Sequence, residues 1–171
     1  MKIENRPSPE RQDTAPEGFT LGLAIVDAIP VLEFSLSMIG IARRFRSALF
    51  RAGALCSTLA GCGKVLWKVL LACRNQNVVW LNRQFRYLMG GGFALMLASL
   101  VKDSSAISFS AVWKRVSGFP ARVFFLLGLA GMTAMGVMGR KLDKMNARHN
   151  WIEQVTNLCA QGMLLLGIWS C

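Results

Sequence analysis

The chain has 171 residues, of which 53% are hydrophobic and only 17% are charged. A soluble domain usually carries about 25% charged residues, so this chain has too little charge to cover a water-facing surface. Because the apolar residues also come in long blocks, the composition excludes a disordered chain, a disulfide-rich secreted module and an ordinary soluble enzyme domain. It favours an integral membrane protein.

Residues 1–17 contain three prolines, mixed charges and almost no apolar side chains. Such a segment cannot bury enough apolar surface to fold, so we predict a disordered polar tail. The tail holds four acidic residues and the apolar run behind it contains Asp27, which is not typical of a secretory signal. Residues 18–171 are predicted to form a single membrane-embedded helical domain.

A helix that crosses the hydrocarbon layer needs about 20 mainly apolar residues. Five stretches meet or approach that length and predict an all-α bundle of about five spanning helices. The third is the weakest, because Arg83 and Arg86 directly precede its uncharged part, so a bundle of four spans is the alternative. The predicted spans cover residues 18–42, 48–73, 84–101, 119–139 and 151–171.

Apolar and polar side chains alternate with a helical period between the third and fourth predicted spans. The pattern predicts a short helix that lies in the membrane interface, with an ordinary polar loop as the alternative. Its apolar face would hold Phe109, Val112, Trp113 and Val116.

Four charged residues, Asp27, Glu33, Lys64 and Lys68, lie inside the first two predicted spans. An ionised side chain at a helix centre costs about 2.5–3.5 kcal/mol on insertion scales, so partners are expected. If these spans form an antiparallel hairpin, Asp27 comes level with Lys64. We therefore predict an Asp27–Lys64 ion pair, with Lys68 as the alternate partner. Glu33 would face residues 57–59 and be hydrogen-bonded to their hydroxyls, paired elsewhere or protonated.

Small residues recur every four positions in the second predicted span, at Gly53, Ser57 and Gly61. Small side chains at this spacing let helix backbones approach closely. The pattern predicts a helix-packing face, and we favour packing within the chain over a dimer interface.

Polar residues also recur every four positions along the fifth predicted span, at His149, Glu153, Asn157 and Gln161. These four residues, here called the polar stripe, share one slowly drifting helix face. A polar stripe in a membrane helix is expected to face the bundle or water rather than lipid. Hydrogen bonding between helices is the favoured interpretation, and a path for protons or a polar solute is the alternative.

No motif for catalysis or metal binding is present. The five cysteines form no CxxC pair, and His149 is the only histidine. A zinc site needs three or four converging ligands, and the chain has no glycine-rich phosphate loop, GxSxG or HExxH pattern. We therefore predict no catalytic site, no metal site, no cofactor and no enzymatic activity.

The net charge is +11, but the lysines and arginines are spread over the tail, the loops and the second span. This distribution does not favour nucleic-acid binding, which requires a basic surface on one face. Basic loops attract anionic lipid headgroups. The partners expected are therefore the lipid bilayer, including its anionic lipids, and a membrane-protein partner or a second copy of the chain.

The sequence predicts a small multi-pass membrane protein with a structural, regulatory or partner-binding role. The alternative is a carrier or channel component that moves protons or a small polar solute along intramembrane charged and amide side chains. A dry bundle with paired charges would favour the first role, and a water-filled cavity reaching Asp27, Lys64 and Asn157 the second. The organisation is typical of bacterial plasma-membrane proteins, and we expect this chain in the inner membrane.

Overall fold

The computed structural model describes residues 20–74, 76–142 and 146–171. Over these ranges the chain is all-α, as predicted, with six α-helices and one 3₁₀ turn at Ser104–Ala106. The predicted disordered tail, residues 1–17, lies outside the described residues. The helices are α1 (Leu21–Arg44), α2 (Ala48–Arg74), α3 (Val79–Lys102), α4 (Phe109–Ser117), α5 (Ala121–Lys141) and α6 (Ala147–Ser170).

The helix ends follow from polar residues that frame the apolar blocks. A side-chain oxygen accepts a hydrogen bond from the first turn at Thr20 before α1, Ser108 before α4 and Asn146 before α6. Such caps satisfy backbone N–H groups that have no partner inside the helix. Arginine or lysine occupies the last turn of each helix from α1 to α5, where a positive charge interacts favourably with the helix dipole.

The helices pack in the neighbour order α3, α2, α1, α6, α5, with α1 at the centre. Helix α1 runs antiparallel to α2 and parallel to α6, whose Trp169 ring lies beside Gly40 near the C-terminal ends of both helices. The short helix α4 packs against α5. The Arg115 side chain of α4 donates to the backbone carbonyl of Cys171 over 3.1 Å, which brings α4 to the end of the bundle where α6 finishes.

Small residues allow α2 to approach both of its neighbours. A methyl group added to Gly53 would lie 2.5 Å from the carbonyl oxygen of Gly92 on α3, and one added to Gly92 would meet Ser57. A methyl group on Gly61 would instead lie 3.0 Å from Val31 on α1. Each four-residue step drifts by about 40° around a helix, so the predicted packing face is shared between α3 and α1.

Three helices of the described chain, α1, α2 and α5, are long and apolar enough to cross a membrane. This finding supports a transmembrane protein. The expectation of about five spans is more than the helices establish, because α3 and α6 do not reach the same apolarity. Arg83 and Arg86 lie in the first turns of α3, and the polar stripe runs from the first turn of α6 to Gln161, past the middle of the helix.

The outward surface of α1 is apolar, and its polar residues face its neighbours. Asp27 and Ser37 are buried on the inner side. This arrangement is the reverse of a water-soluble bundle, in which exposed helix faces are polar. The exposed apolar side chains share one face of the helix and are Leu21, Ile25, Ile29, Leu32, Leu36 and Ile39.

Helix α4 forms in the region where the amphipathic pattern predicted one. None of its residues is buried, and the Phe109 and Trp113 side chains are 67% and 72% exposed. An apolar face left uncovered on a short helix is typical of a segment lying at a membrane surface. Its position in the interface stays a prediction.

The close contact between α2 and α3 predicts different outcomes for neighbouring glycines. Gly92→Ala would force a methyl group against Ser57 and the Gly53 carbonyl oxygen, 2.6 Å away, and we expect a loss of about 1–3 kcal/mol of stability. Gly91 has no described atom within 4 Å of such a methyl group, so Gly91→Ala should be neutral or stabilising. Thermal unfolding in detergent measures both, and equal losses would contradict the close contact.

Candidate functional site

Four charged side chains gather near the end of the bundle where α1 begins. They are Asp27 on α1, Lys64 and Lys68 on α2 and Glu153 on α6, and we call them the charged layer. Asp27 lies about 9 Å along the axis from the first residue of α1, which is well inside the helix. The layer contains two positive and two negative side chains, so its formal charges cancel.

Asp27 and Lys68 form the central ion pair of this layer. The Lys68 Nζ lies 3.1 Å from the Asp27 Oδ1, and the two side chains are 3% and 6% exposed. At this distance the ammonium and the carboxylate are in direct contact, and both are buried away from solvent. Charge attraction therefore holds the pair, since a nearby opposite charge is strongly favourable where water is excluded.

The predicted first partner, Lys64, was wrong, and the alternate partner Lys68 takes its place. Side chains on a helix tilt toward its N-terminus. In this antiparallel pair the Asp27 side chain tilts away from the connecting turn, whereas lysines on α2 tilt toward that turn. The backbone of Lys68 lies one helical turn further from the connecting turn than that of Lys64, and its side chain tilts back toward Asp27. The backbone of Lys64 lies level with Asp27, and its side chain tilts away from it.

Lys64 turns toward α3 instead. Its Nζ lies 4.7 Å from the centre of the Phe85 ring, a cation–π contact worth about 0.5–2 kcal/mol depending on its desolvation. Lys68 also experiences the charges of Lys64 and Glu153. The repulsion from Lys64 is thus opposed by two carboxylates from two other helices, which makes the layer a junction of α1, α2 and α6.

Glu33 lies near the middle of α1. It was predicted to face residues 57–59 of α2, and this prediction was wrong. Glu33 faces α6, where a methyl group added to Gly162 would lie 3.1 Å from its Oε1. Ser35 meets Thr58 instead, with 3.4 Å between the hydroxyl oxygens. The predicted depth of Glu33 was nearly right. Ser35 lies only two positions further along α1, but two positions are about 200° apart around a helix, so Ser35 faces α2 and Glu33 does not. The Glu33 Oε2 is buried without a hydrogen-bond partner among the described residues.

The four residues of the polar stripe are all half-buried. The Gln161 Nε2 approaches the Met132 Sδ on α5 at 3.7 Å, and Asn157 has no hydrogen-bond partner among the described residues. Two amides beside the stripe, Asn150 and Gln154, are more deeply buried, at 6% and 3% exposure. Neither was predicted from the sequence, although the two repeat the four-residue spacing one position further along the helix.

A groove of about 640 Å³ opens between α1 and α2 at the opposite end of the bundle, beside their connecting turn. We call it the α1–α2 groove. No residue of the charged layer lines it, and neither does Asn157. Its polar lining consists of Ser35, Arg43, Arg46, Arg51 and Thr58.

The described residues contain no group of three or more histidine, cysteine, aspartate or glutamate side chains that could hold a metal ion. All five cysteines are free, and Cys62, Cys73 and Cys159 are exposed on the outer surface. Comparisons with protein-family models, with curated proteins and with solved structures find no match. The charged layer and Glu33 are therefore the features of the described chain that bear on its function.

The ion pair predicts a difference between the two lysines. Lys68→Met would leave Asp27 buried without its counter-charge, and we expect a loss of about 3–5 kcal/mol. Lys64→Met removes only the contact with Phe85 and should cost about 1 kcal/mol. Unfolding of both variants in mixed detergent micelles checks this order. A larger loss for Lys64→Met would show that Lys64 is the true counter-ion.

Proposed function

We propose that this chain is a five-span, multi-pass protein of a bacterial plasma membrane with a structural, regulatory or partner-binding role. The observation that carries the role is the Asp27–Lys68 pair, which is buried between α1 and α2. Charged residues inside a membrane are by default a sign of function, but a mutually neutralised and closed pair is well suited to holding helices together.

The surroundings of the charged layer favour assembly over conduction. Asp27 and Lys68 are almost completely covered by other side chains, and the α1–α2 groove ends away from them. A conducting path requires polar groups that remain accessible to a permeant ion or solute along the membrane depth. The small-residue contacts and the buried pair serve close helix packing instead.

The dimensions of α3 and α6 support five spans. Each helix has 24 residues and is about 36 Å long, which exceeds a hydrocarbon layer of about 30 Å. Each packs along a helix that is apolar enough to cross, α3 along α2 and α6 along α1. Leu97 on α3 and Val155 on α6 are exposed, as lipid-facing side chains would be.

A second candidate function rests on Glu33. Its Oε2 and the Gln154 Oε1 on α6 are buried and lack hydrogen-bond partners among the described residues. An unpaired carboxylate near the middle of a spanning helix can take up and release a proton. In this second function the chain would be a carrier or channel component, and these two groups would bind the proton or small polar solute on its way across the membrane.

The five-span topology predicts the sides on which loops lie. In a cysteine-free background, Gln76→Cys and Ser105→Cys flank α3, and both positions are exposed. A membrane-impermeant thiol reagent applied to intact cells should label one of them and not the other, because α3 separates them. Lys141→Cys and a restored Cys171, each as the single cysteine of the chain, give the same test for α6. Labelling of both members of a pair from the same side would remove that helix from the spans.

Flux measurements separate the two roles. Liposomes that contain the purified chain should show the same proton leak as empty liposomes, and the Asp27→Asn and Glu33→Gln variants should not differ from the unmodified chain. A protein-dependent flux that is abolished by Glu33→Gln would favour the carrier instead.

Native mass measurement in mild detergent tests the partner-binding role. This role predicts a complex larger than one chain, and a lone monomer would contradict it.

A further inference from the structure

We propose that the α1–α2 groove is a binding site for one anionic phospholipid. The lipid phosphate would be held by Arg43, Arg46 and Arg51, and an acyl chain would lie along the apolar wall between the two helices. This inference rests on the membrane embedding of α1 and α2 and is independent of whether the chain has a partner or a transport role.

The three arginines at the mouth of the groove are exposed. None of them forms an ion pair with a carboxylate of the described chain. Their neighbour Arg44 differs, because its Nη1 donates to the Ile168 carbonyl oxygen of α6 over 3.2 Å. The remaining three guanidinium groups thus have their donors available on one side of the helix hairpin. Guanidinium groups bind phosphate oxygens with paired, charge-assisted hydrogen bonds.

Below the arginines the groove becomes apolar. Met38, Ile39 and Ala42 of α1 face Ala54 and Leu55 of α2 across it. The Ile39 and Leu55 side chains are 47% and 60% exposed, so the groove opens sideways onto the same outer surface as the lipid-facing residues of α1. An acyl chain entering from the bilayer would cover these side chains.

The groove ends at the hydroxyl groups of Ser35 and Thr58, which lie 3.4 Å apart and join the two helices. From Arg43 to Ser35 the groove follows α1 for about 12 Å. The groove volume of about 640 Å³ exceeds what a free phosphate ion would fill. A molecule with a negative head and a hydrocarbon tail matches the whole groove, whereas a small anion matches only its mouth.

The position of the arginines also fits a headgroup. They lie where α1 ends and α2 begins, which is the depth at which a spanning hairpin leaves the hydrocarbon and meets the polar headgroups. A zwitterionic headgroup would bring its own positive charge next to three arginines, so the site should discriminate against it. The occupant is therefore an anionic phospholipid from the surrounding bilayer.

Lipid titration of the full chain in an uncharged detergent tests the site, with native mass spectrometry to count bound lipids. Phosphatidylglycerol should bind with a stoichiometry of one and at least roughly tenfold more tightly than phosphatidylcholine. Inorganic phosphate and deacylated glycerophosphoglycerol, at the same concentration, should not displace it. Equal binding of phosphatidylcholine, or displacement by either soluble phosphate, would overturn the proposal without changing the proposed function.

Two triple variants carry the same change in net charge. The first removes the three positive charges at the mouth of the groove by Arg43→Gln, Arg46→Gln and Arg51→Gln. Phosphatidylglycerol binding should then weaken at least roughly tenfold. The control combines Lys102→Gln, Lys114→Gln and Arg122→Gln, three exposed positions at the same end of the bundle. It should change binding less than about threefold. Equal weakening in both would show general attraction to a basic surface and would overturn the site.

Discussion

Hydrocarbon surrounds the outward faces of the spanning helices, and this solvent decides which forces can hold the helices together. In such surroundings apolar side chains gain nothing by leaving the surface, so burial of leucine and isoleucine cannot drive helix association as it does in water. Close packing of small residues and the pairing of polar groups must supply that driving force. The chain uses both, with Gly53 against Gly92 between α2 and α3 and Asp27 against Lys68 between α1 and α2.

Helix α1 combines these effects, because it lies between α2 and α6 and carries a different chemistry at each depth. Asp27 is neutralised near its start, Glu33 lies against Gly162 near its middle, and Arg43 and Arg44 close its last turn. The ion pair fixes α1 against α2, and the glycine lets α6 approach Glu33. The arginines at the far end place positive charge beside the turn that connects α1 to α2.

The sequence alone was enough to predict an all-α chain with helices apolar enough to cross a membrane, because long apolar blocks bounded by charges can form little else there. It also placed Asp27 and two lysines of α2 at about the same depth. In an antiparallel hairpin, residues that are equally far from the connecting turn lie level with each other. It did not identify Lys68 as the partner, because side-chain tilt adds almost one helical turn to that count. Nor did it show that Glu33 faces α6, because the order in which helices pack is not encoded in the periodicity of any one helix.

The behaviour of the purified chain without any amphiphile shows whether lipid, and not water, surrounds most of this polypeptide. The measurement is sedimentation of the full chain after dialysis that removes all detergent, compared with the same chain kept in micelles. We expect a single species in micelles and complete aggregation once the detergent is gone, because the exposed apolar side chains of α1, α2 and α5 have no cover in water. A single, helical and soluble species in plain buffer would contradict it.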